Sequence, residues 1–94
     1  MAAYLIAEIA LTNPQAYEAY KPLAAAAIAK FGGRYLVRGG NTETLEGQSW
    51  NRIVILEFPS MDQARIFYNS PDYQAVLPLR RDNAVSRVTL VEGL

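Results

Sequence analysis

Runs of apolar residues with a period of two predict four β-strands in this chain. They cover residues 3–11, 34–38, 53–58 and 84–91. The third run is apolar at both sets of alternate positions except at Glu57, which is typical of a strand covered on both faces. A carboxylate in such a strand needs a partner or a wet cavity.

Apolar positions at three- and four-residue spacing predict a first helix between the first two strands. Asn13 and Pro14 are typical of a helix start, and Gly32 and Gly33 of its end. Pro22 lies inside the helix and is expected to bend it, because proline has no N–H and its ring meets the carbonyl one turn earlier.

A second helix is predicted to begin at residue 61. Ser60 and Gln63 form a capping-box pattern, in which the hydroxyl and the amide are each expected to satisfy a backbone donor at the helix start. Pro71 then follows a serine, which predicts a short further helix over residues 71–76. Pro78 is expected to stop it.

The order strand, helix, strand, strand, helix, strand predicts an α+β, ferredoxin-like βαββαβ fold with a four-stranded antiparallel sheet and its helices on one face. The other face of the sheet then needs cover, and a homodimer through that face is the natural solution. Residues predicted on it are Tyr4, Ile6, Glu8, Ile53, Ile55, Glu57, Arg87, Thr89 and Val91.

The amino-acid composition excludes several classes of function. With 94 residues the chain is expected to be one domain, 1–94, and its nine basic and nine acidic residues give no field toward nucleic acid or an anionic membrane. The absence of cysteine and histidine excludes thiolate catalysis, histidine-based hydrolysis and the commonest transition-metal sites. We therefore expect a protein without a metal or bound cofactor. We also expect it to be cytoplasmic, since no apolar run is long enough to span a bilayer.

Two charged residues are candidates for chemistry. Glu57 is a candidate general base, because burial would raise the pKa of a carboxylate in an apolar strand. Alternatively it forms a buried ion pair with Arg38 or Arg87. Arg80 is suited to bind a carboxylate through its planar guanidinium, or else it pairs with Glu57 or Asp72 as a structural contact.

Other candidates for ligand binding are Arg38 and three aromatic residues. Tyr68 and Tyr73 are placed to line a pocket for a flat substrate, or to cap the core with their hydroxyls in water. Trp50, the sole tryptophan, is either a pocket wall or an anchor of the dimer.

Four segments carry a family resemblance: GGRYLVRGG at 32–40, LEG at 45–47, RIVILEFPSMDQA at 52–64 and SPDYQAVLPLR at 70–80. They resemble a family of small uncharacterised bacterial proteins in the dimeric α+β barrel superfamily. That superfamily also contains the cofactor-free antibiotic-biosynthesis-type monooxygenases, the muconolactone isomerases and ligand-binding domains of some regulators. The resemblance implies that its matching polar positions matter: Arg38, Glu46, Glu57, Tyr73 and Arg80.

Two functions are therefore expected. The first is binding of a small aromatic or carboxylate metabolite, with metal-free and cofactor-free chemistry of the isomerase or monooxygenase type. The second is a non-catalytic dimeric assembly or accessory module, in which the inward charges are salt bridges.

Overall fold

The computed structural model, which describes residues 1–50 and 52–94, contains all the predicted strands and helices. The segment 42–51 is polar and contains Gly47, which predicts a loop, and its last residue, Asn51, lies outside the described residues. Along the chain the elements are β1 (Ala3–Leu11), α1 (Pro14–Tyr17), α2 (Tyr20–Lys30), β2 (Arg34–Arg38), β3 (Arg52–Phe58), α3 (Met61–Asn69), α4 (Pro71–Arg81) and β4 (Ala84–Glu92).

The strands form one antiparallel sheet in the order β2-β3-β1-β4. This order confirms the ferredoxin-like α+β fold expected from the sequence. Burial alternates along β1, so that Leu5, Ala7 and Ile9 lie buried beneath the helices. Tyr4 and Ile6 lie on the opposite face, which we call the open face of the sheet.

The core lies between the helices and the sheet and is rich in aromatic rings. The ring of Phe67 on α3 packs 5.1 Å from that of Phe58 on β3 and 4.6 Å from that of Tyr73 on α4, measured between centroids. Such tilted contacts bury large apolar areas and stabilise the fold. In the described part of the chain, no helix is long and apolar enough to cross a membrane.

The helix predicted between β1 and β2 with a bend at Pro22 is instead interrupted four residues before this proline. Asn13 caps α1 by accepting a hydrogen bond from Ala16 N at 3.1 Å. The helix then breaks at Glu18, and α2 begins at Tyr20. Because Pro22 cannot donate to the Glu18 carbonyl, a continuous helix would lose that hydrogen bond.

The capping box predicted at α3 is half correct. Ser60 Oγ accepts from Gln63 N at 3.1 Å, as expected. The Gln63 side chain does not return to the cap; its Nε2 donates to Phe31 O at 2.8 Å instead. Carbonyls at the end of a helix lack intrahelical donors, so this amide satisfies the end of α2 and joins it to α3.

The prediction that Pro78 ends the last helix is wrong, since α4 continues past it to Arg81. Pro78 and Gln74 are both exposed, so the carbonyl that loses its donor faces water and the interruption costs little. As a result Tyr73, Leu77 and Arg80 are all buried on one face of a single helix.

A β-bulge in β2 separates two arginines that simple alternation would place together. The register with β3 shifts between Tyr35 and Val37, so Leu36 is an extra residue without a partner. Arg34 therefore points to the open face, while Arg38 falls on the helix-covered face. Bulges commonly re-aim side chains in this way.

The contact between Gly33 and Phe58 provides a test of the core. A Cβ at Gly33 would lie 2.6 Å from Phe58 Cε1 and 2.9 Å from Ile28 Cγ2. We expect Gly33→Ala to lower the free energy of unfolding by about 1–3 kcal/mol in a urea titration, because both neighbours are packed in the core. Gly40→Ala is the control, since nothing lies within 4 Å of its Cβ position. Equal stability of the two variants would contradict this packing.

Candidate functional site

A cavity lies between the helices and the covered face of the sheet. It encloses about 40 Å³, which is room for a few water molecules or the polar head of a small ligand. Its walls are mainly apolar and aromatic, and its charged lining residues are all basic. These are Lys21, Arg38, Arg52 and Arg80.

Arg80 is the most buried of these cations, with 5% of its surface exposed. The structural alternative predicted from the sequence, in which Arg80 pairs with Asp72 or Glu57, is wrong. Asp72 pairs with Lys30 at 2.7 Å, and Glu57 pairs with Arg34 at 2.7 Å. Within residues 1–50 and 52–94, no carboxylate forms a salt bridge with Arg80.

Two tyrosine hydroxyls lie beside the Arg80 guanidinium. Tyr73 lies seven residues before Arg80 on α4, two helical turns away, and its hydroxyl is 2.6 Å from that of Tyr20 on α2. Burial raises the pKa of Tyr20, and the nearby Tyr73 raises it further, so Tyr20 stays neutral. Burial alone would lower the pKa of Arg80, but the two tyrosine oxygens outweigh it and raise that pKa. The guanidinium therefore remains charged.

Arg52 is a second cation of the cavity, at the start of β3. Its Nε is buried and has no hydrogen-bond partner among the described residues. Its guanidinium lies over the Tyr17 ring, 5.5 Å from the centroid. Gly39 has a positive φ of 69°, and a Cβ there would overlap the Arg52 guanidinium, so glycine provides the space this side chain occupies.

Arg38 reaches the cavity because of the bulge in β2. Its guanidinium lies 4.4 Å from the centroid of the Tyr35 ring, a cation–π contact. Burial raises the pKa of Tyr35 although Arg38 opposes the change, so this ring is neutral too. Arg38 itself is exposed, which places it at the mouth of the cavity.

Glu57, the candidate general base, lies on the open face and does not line the cavity. Its side chain is half-buried and accepts a hydrogen bond from Arg34 Nε at 2.7 Å. The alternative pairings with Arg38 or Arg87 are therefore wrong. The bulge explains the first, since it turns Arg38 to the other face. A catalytic role for Glu57 stays a prediction and would concern the open face.

Trp50 and Tyr68 also lie outside the cavity lining. The Arg87 guanidinium stacks on the Trp50 ring at 4.1 Å, and Arg87 belongs to the open face. Tyr68 packs its ring 5.5 Å from that of Tyr73 and lines shallow grooves beside β4. Among the predicted ligand-binding residues, the cavity thus brings together Arg38, Tyr73 and Arg80.

A family model described as DUF1330, a domain of unknown function, matches residues 2–94. The chain belongs to this family. No curated protein sequence matches this DUF1330 chain.

Three solved structures show how widely the DUF1330 chain shares its fold. A protein of unknown function from Rhodopseudomonas palustris is 22% identical, with a TM-score of 0.77 over 99% of this chain and 82% of the other. SnoaB from Streptomyces nogalater, a cofactor-independent oxygenase, is 16% identical, with a TM-score of 0.74 over 99% and 93%. A dimeric protein of ferredoxin-like fold from Bacteroides fragilis is 15% identical, with a TM-score of 0.67 over 98% and 96%. At these identities the likeness is one of fold.

Several residues that line the cavity of this DUF1330 chain were not predicted as site residues, and Tyr20 and Arg52 matter most for its chemistry. The three- and four-residue spacing of the first helix predicts a core position for Tyr20, and it indicates no partner for the hydroxyl. The third strand predicted over residues 53–58 begins one residue after Arg52, although Arg52 alternates with the buried Val54 and Leu56. Extending the strand by one residue would have placed Arg52 on the covered face. No three potential metal-ligating residues cluster in the described ranges.

The tyrosine pair provides a test of this site. We expect Tyr73→Phe to lower the free energy of unfolding by about 1–3 kcal/mol, because it leaves the part-buried Tyr20 hydroxyl without its partner. Tyr68→Phe is the matched control, since its hydroxyl bonds to none of the described residues. Equal losses in the two variants, measured by urea unfolding, would contradict a special role for the Tyr20–Tyr73 contact.

Proposed function

We propose that this protein binds a small carboxylate-bearing metabolite in the cavity between its helices and its sheet. The observation that carries the proposal is the buried Arg80, for which the described residues supply no carboxylate partner. A buried charge without a counter-ion costs several kcal/mol, so proteins rarely retain one that does nothing. A bound anion would provide the missing charge.

The surroundings of Arg80 favour a carboxylate. A guanidinium donates two parallel hydrogen bonds that match the two oxygens of a carboxylate. In the Tyr20–Tyr73 pair one hydroxyl donates to the other, which leaves the second hydroxyl proton free to reach a ligand. The enclosed volume of about 40 Å³ holds the polar head, and the organic part would extend along the apolar and aromatic walls toward the mouth at Arg38.

Catalysis without metal or cofactor, of the isomerase or monooxygenase type, is the enzymatic form of this proposal. It is supported by the fold shared with SnoaB, itself a cofactor-independent oxygenase. In the cavity the groups available for proton transfer would be the Tyr20 and Tyr73 hydroxyls. Glu57 would act only on a substrate at the open face, where it is held by Arg34.

Calorimetric titration with two pairs of probes tests the binding proposal. We expect benzoate or succinate to bind and their uncharged analogues, benzamide and succinamide, not to bind, because recognition depends on the anion. Arg80→Met should weaken binding by at least about tenfold, the loss of one charge-assisted contact. Arg65→Met is the matched control, since Arg65 is exposed and pairs with Asp62.

The melting temperature of Arg80→Met distinguishes a ligand-binding role of Arg80 from a purely structural one. Replacing a buried charge by an apolar side chain of similar length is often neutral or stabilising. We therefore expect Arg80→Met to melt at or above the temperature of the unchanged protein when no ligand is present. Equal binding by acids and amides, or binding unaffected by Arg80→Met, would contradict the proposal.

A second candidate function is assembly through the open face. Ile6 on β1 lies opposite Ile55 on β3, and Tyr4 lies opposite Val91, so apolar side chains cross the sheet. Val37 and Val91 are 37% and 44% exposed there. A homodimer through this face would bury these side chains, and the Bacteroides fragilis neighbour is described as dimeric.

Ile6→Glu tests this assembly. We expect light scattering to give twice the protomer mass of 10.4 kDa for the unchanged protein and the protomer mass for the variant, because a charge would be desolvated at the interface. Ile66→Glu is the matched control, as Ile66 is 53% exposed on α3. A monomeric unchanged protein at micromolar concentration would contradict the homodimer.

A further inference from the structure

We propose that the ligand carries two anionic groups, one held by Arg80 and the other by Arg52 with Arg38. The inference rests on the proposed binding function and specifies the chemical class of the ligand. A short dicarboxylate has this chemistry, and so does a phosphorylated carboxylate of the same length.

The first observation is that Arg52 has an unused donor. Its Nε is buried without a hydrogen-bond partner among the described residues, although buried donors are nearly always paired. The Tyr17 ring accounts for one side of the guanidinium but accepts no ordinary hydrogen bond from Nε. An acceptor in the cavity would satisfy this donor.

The second observation is that Arg52 and Arg80 lie on opposite sides of Ile9. In the sheet, Ile9 on β1 pairs with Arg52 on β3 and with Ser86 on β4. Two strand spacings separate Arg52 from Ser86, which is roughly 10 Å between their Cα atoms. Arg80 lies on the Ser86 side, since both line the same groove between α4 and β4.

Tyrosine rings connect the two cationic ends. Tyr17 lies under the Arg52 guanidinium, and its ring centroid is 5.2 Å from that of Tyr20. Tyr20 in turn contacts Tyr73 beside Arg80, with ring centroids 6.4 Å apart. The space between the two arginines is thus bounded by aromatic faces, which suit a short carbon chain better than bulk water.

Charge balance favours a dianion over a monoanion. The cavity lining contains three guanidinium groups and no carboxylate. The remaining basic residue, Lys21, already pairs with Glu18 at 2.6 Å. One carboxylate at Arg80 would leave Arg52 without a counter-ion in a poorly solvated site, whereas a second anionic group would neutralise it.

Calorimetry with diacids and their half-amides isolates the second charge. The probes are malonate, succinate and glutarate, each compared with its half-amide (malonamate, succinamate and glutaramate) at constant ionic strength, because salt screens such contacts. We expect the best-fitting diacid to bind at least about tenfold more tightly than its half-amide. Arg52→Met should remove this difference and leave the affinity for the half-amide unchanged.

Two controls keep the test decisive. Arg87→Met makes the same substitution on the open face and should preserve the preference for the diacid. Arg52→Lys retains the charge and should preserve part of it, which covers the case in which Arg52→Met folds poorly. Phosphoglycolate measured beside malonate distinguishes a phosphorylated carboxylate from a dicarboxylate as the better ligand.

The outcomes separate this inference from the proposed function. Equal affinities within every diacid and half-amide pair would overturn the two-anion inference and leave single-carboxylate binding standing. A preference for the diacid that survives Arg52→Met would also overturn it. Absence of binding by these six probes and by phosphoglycolate would overturn both.

Discussion

The burial of the Arg80 guanidinium is the constraint around which the cavity is arranged. A cation at this depth must remain charged, because arginine does not lose its proton in proteins. The Tyr73 and Tyr20 hydroxyls stabilise it without neutralising it. That contact requires α4 to continue through Pro78, so that Tyr73 and Arg80 share one face, and α2 to start at Tyr20 after the break at Glu18.

Charged side chains on the two sides of the sheet differ in their partners and in their burial. On the open face, Glu57 is paired with Arg34, and Arg87 is stacked on Trp50, so these charges have local partners. On the covered side, Arg52 of β3 and Arg80 of α4 form no salt bridge within the described residues, and both are less exposed to water than Arg87. A protein that needed these groups only for stability would gain more from an apolar core. This difference is what favours the covered side for the ligand site proposed above.

The sequence predicted most of the fold because local signals agreed with one another. Strand periodicity located the four strands to within one residue, and the Asn13 and Ser60 caps located two helix starts. The family resemblance agreed with the same topology. The prediction at Pro78 was wrong because the free-energy cost of a proline inside a helix depends on whether the unpaired carbonyl faces water. That in turn depends on tertiary packing.

The site was less predictable, since it depends on register and on pairing across distant segments. The bulge at Leu36 has no clear signature in the sequence, yet it decides that Arg38 and Glu57 lie on opposite faces. Glu57 pairs with Arg34, which is 23 positions away in the sequence. Asp72 pairs with Lys30, which is 42 positions away. Only those pairings leave Arg80 without an acid, and no local pattern reveals them.

A crystal structure of the protein grown with an excess of its best-binding carboxylate would show directly whether Arg80 holds a ligand. We expect a carboxylate bound by the Arg80 guanidinium and within hydrogen-bond distance of a hydroxyl of the Tyr20–Tyr73 pair. An empty cavity, with the acid bound elsewhere or Arg80 turned to a carboxylate of its own chain, would contradict it.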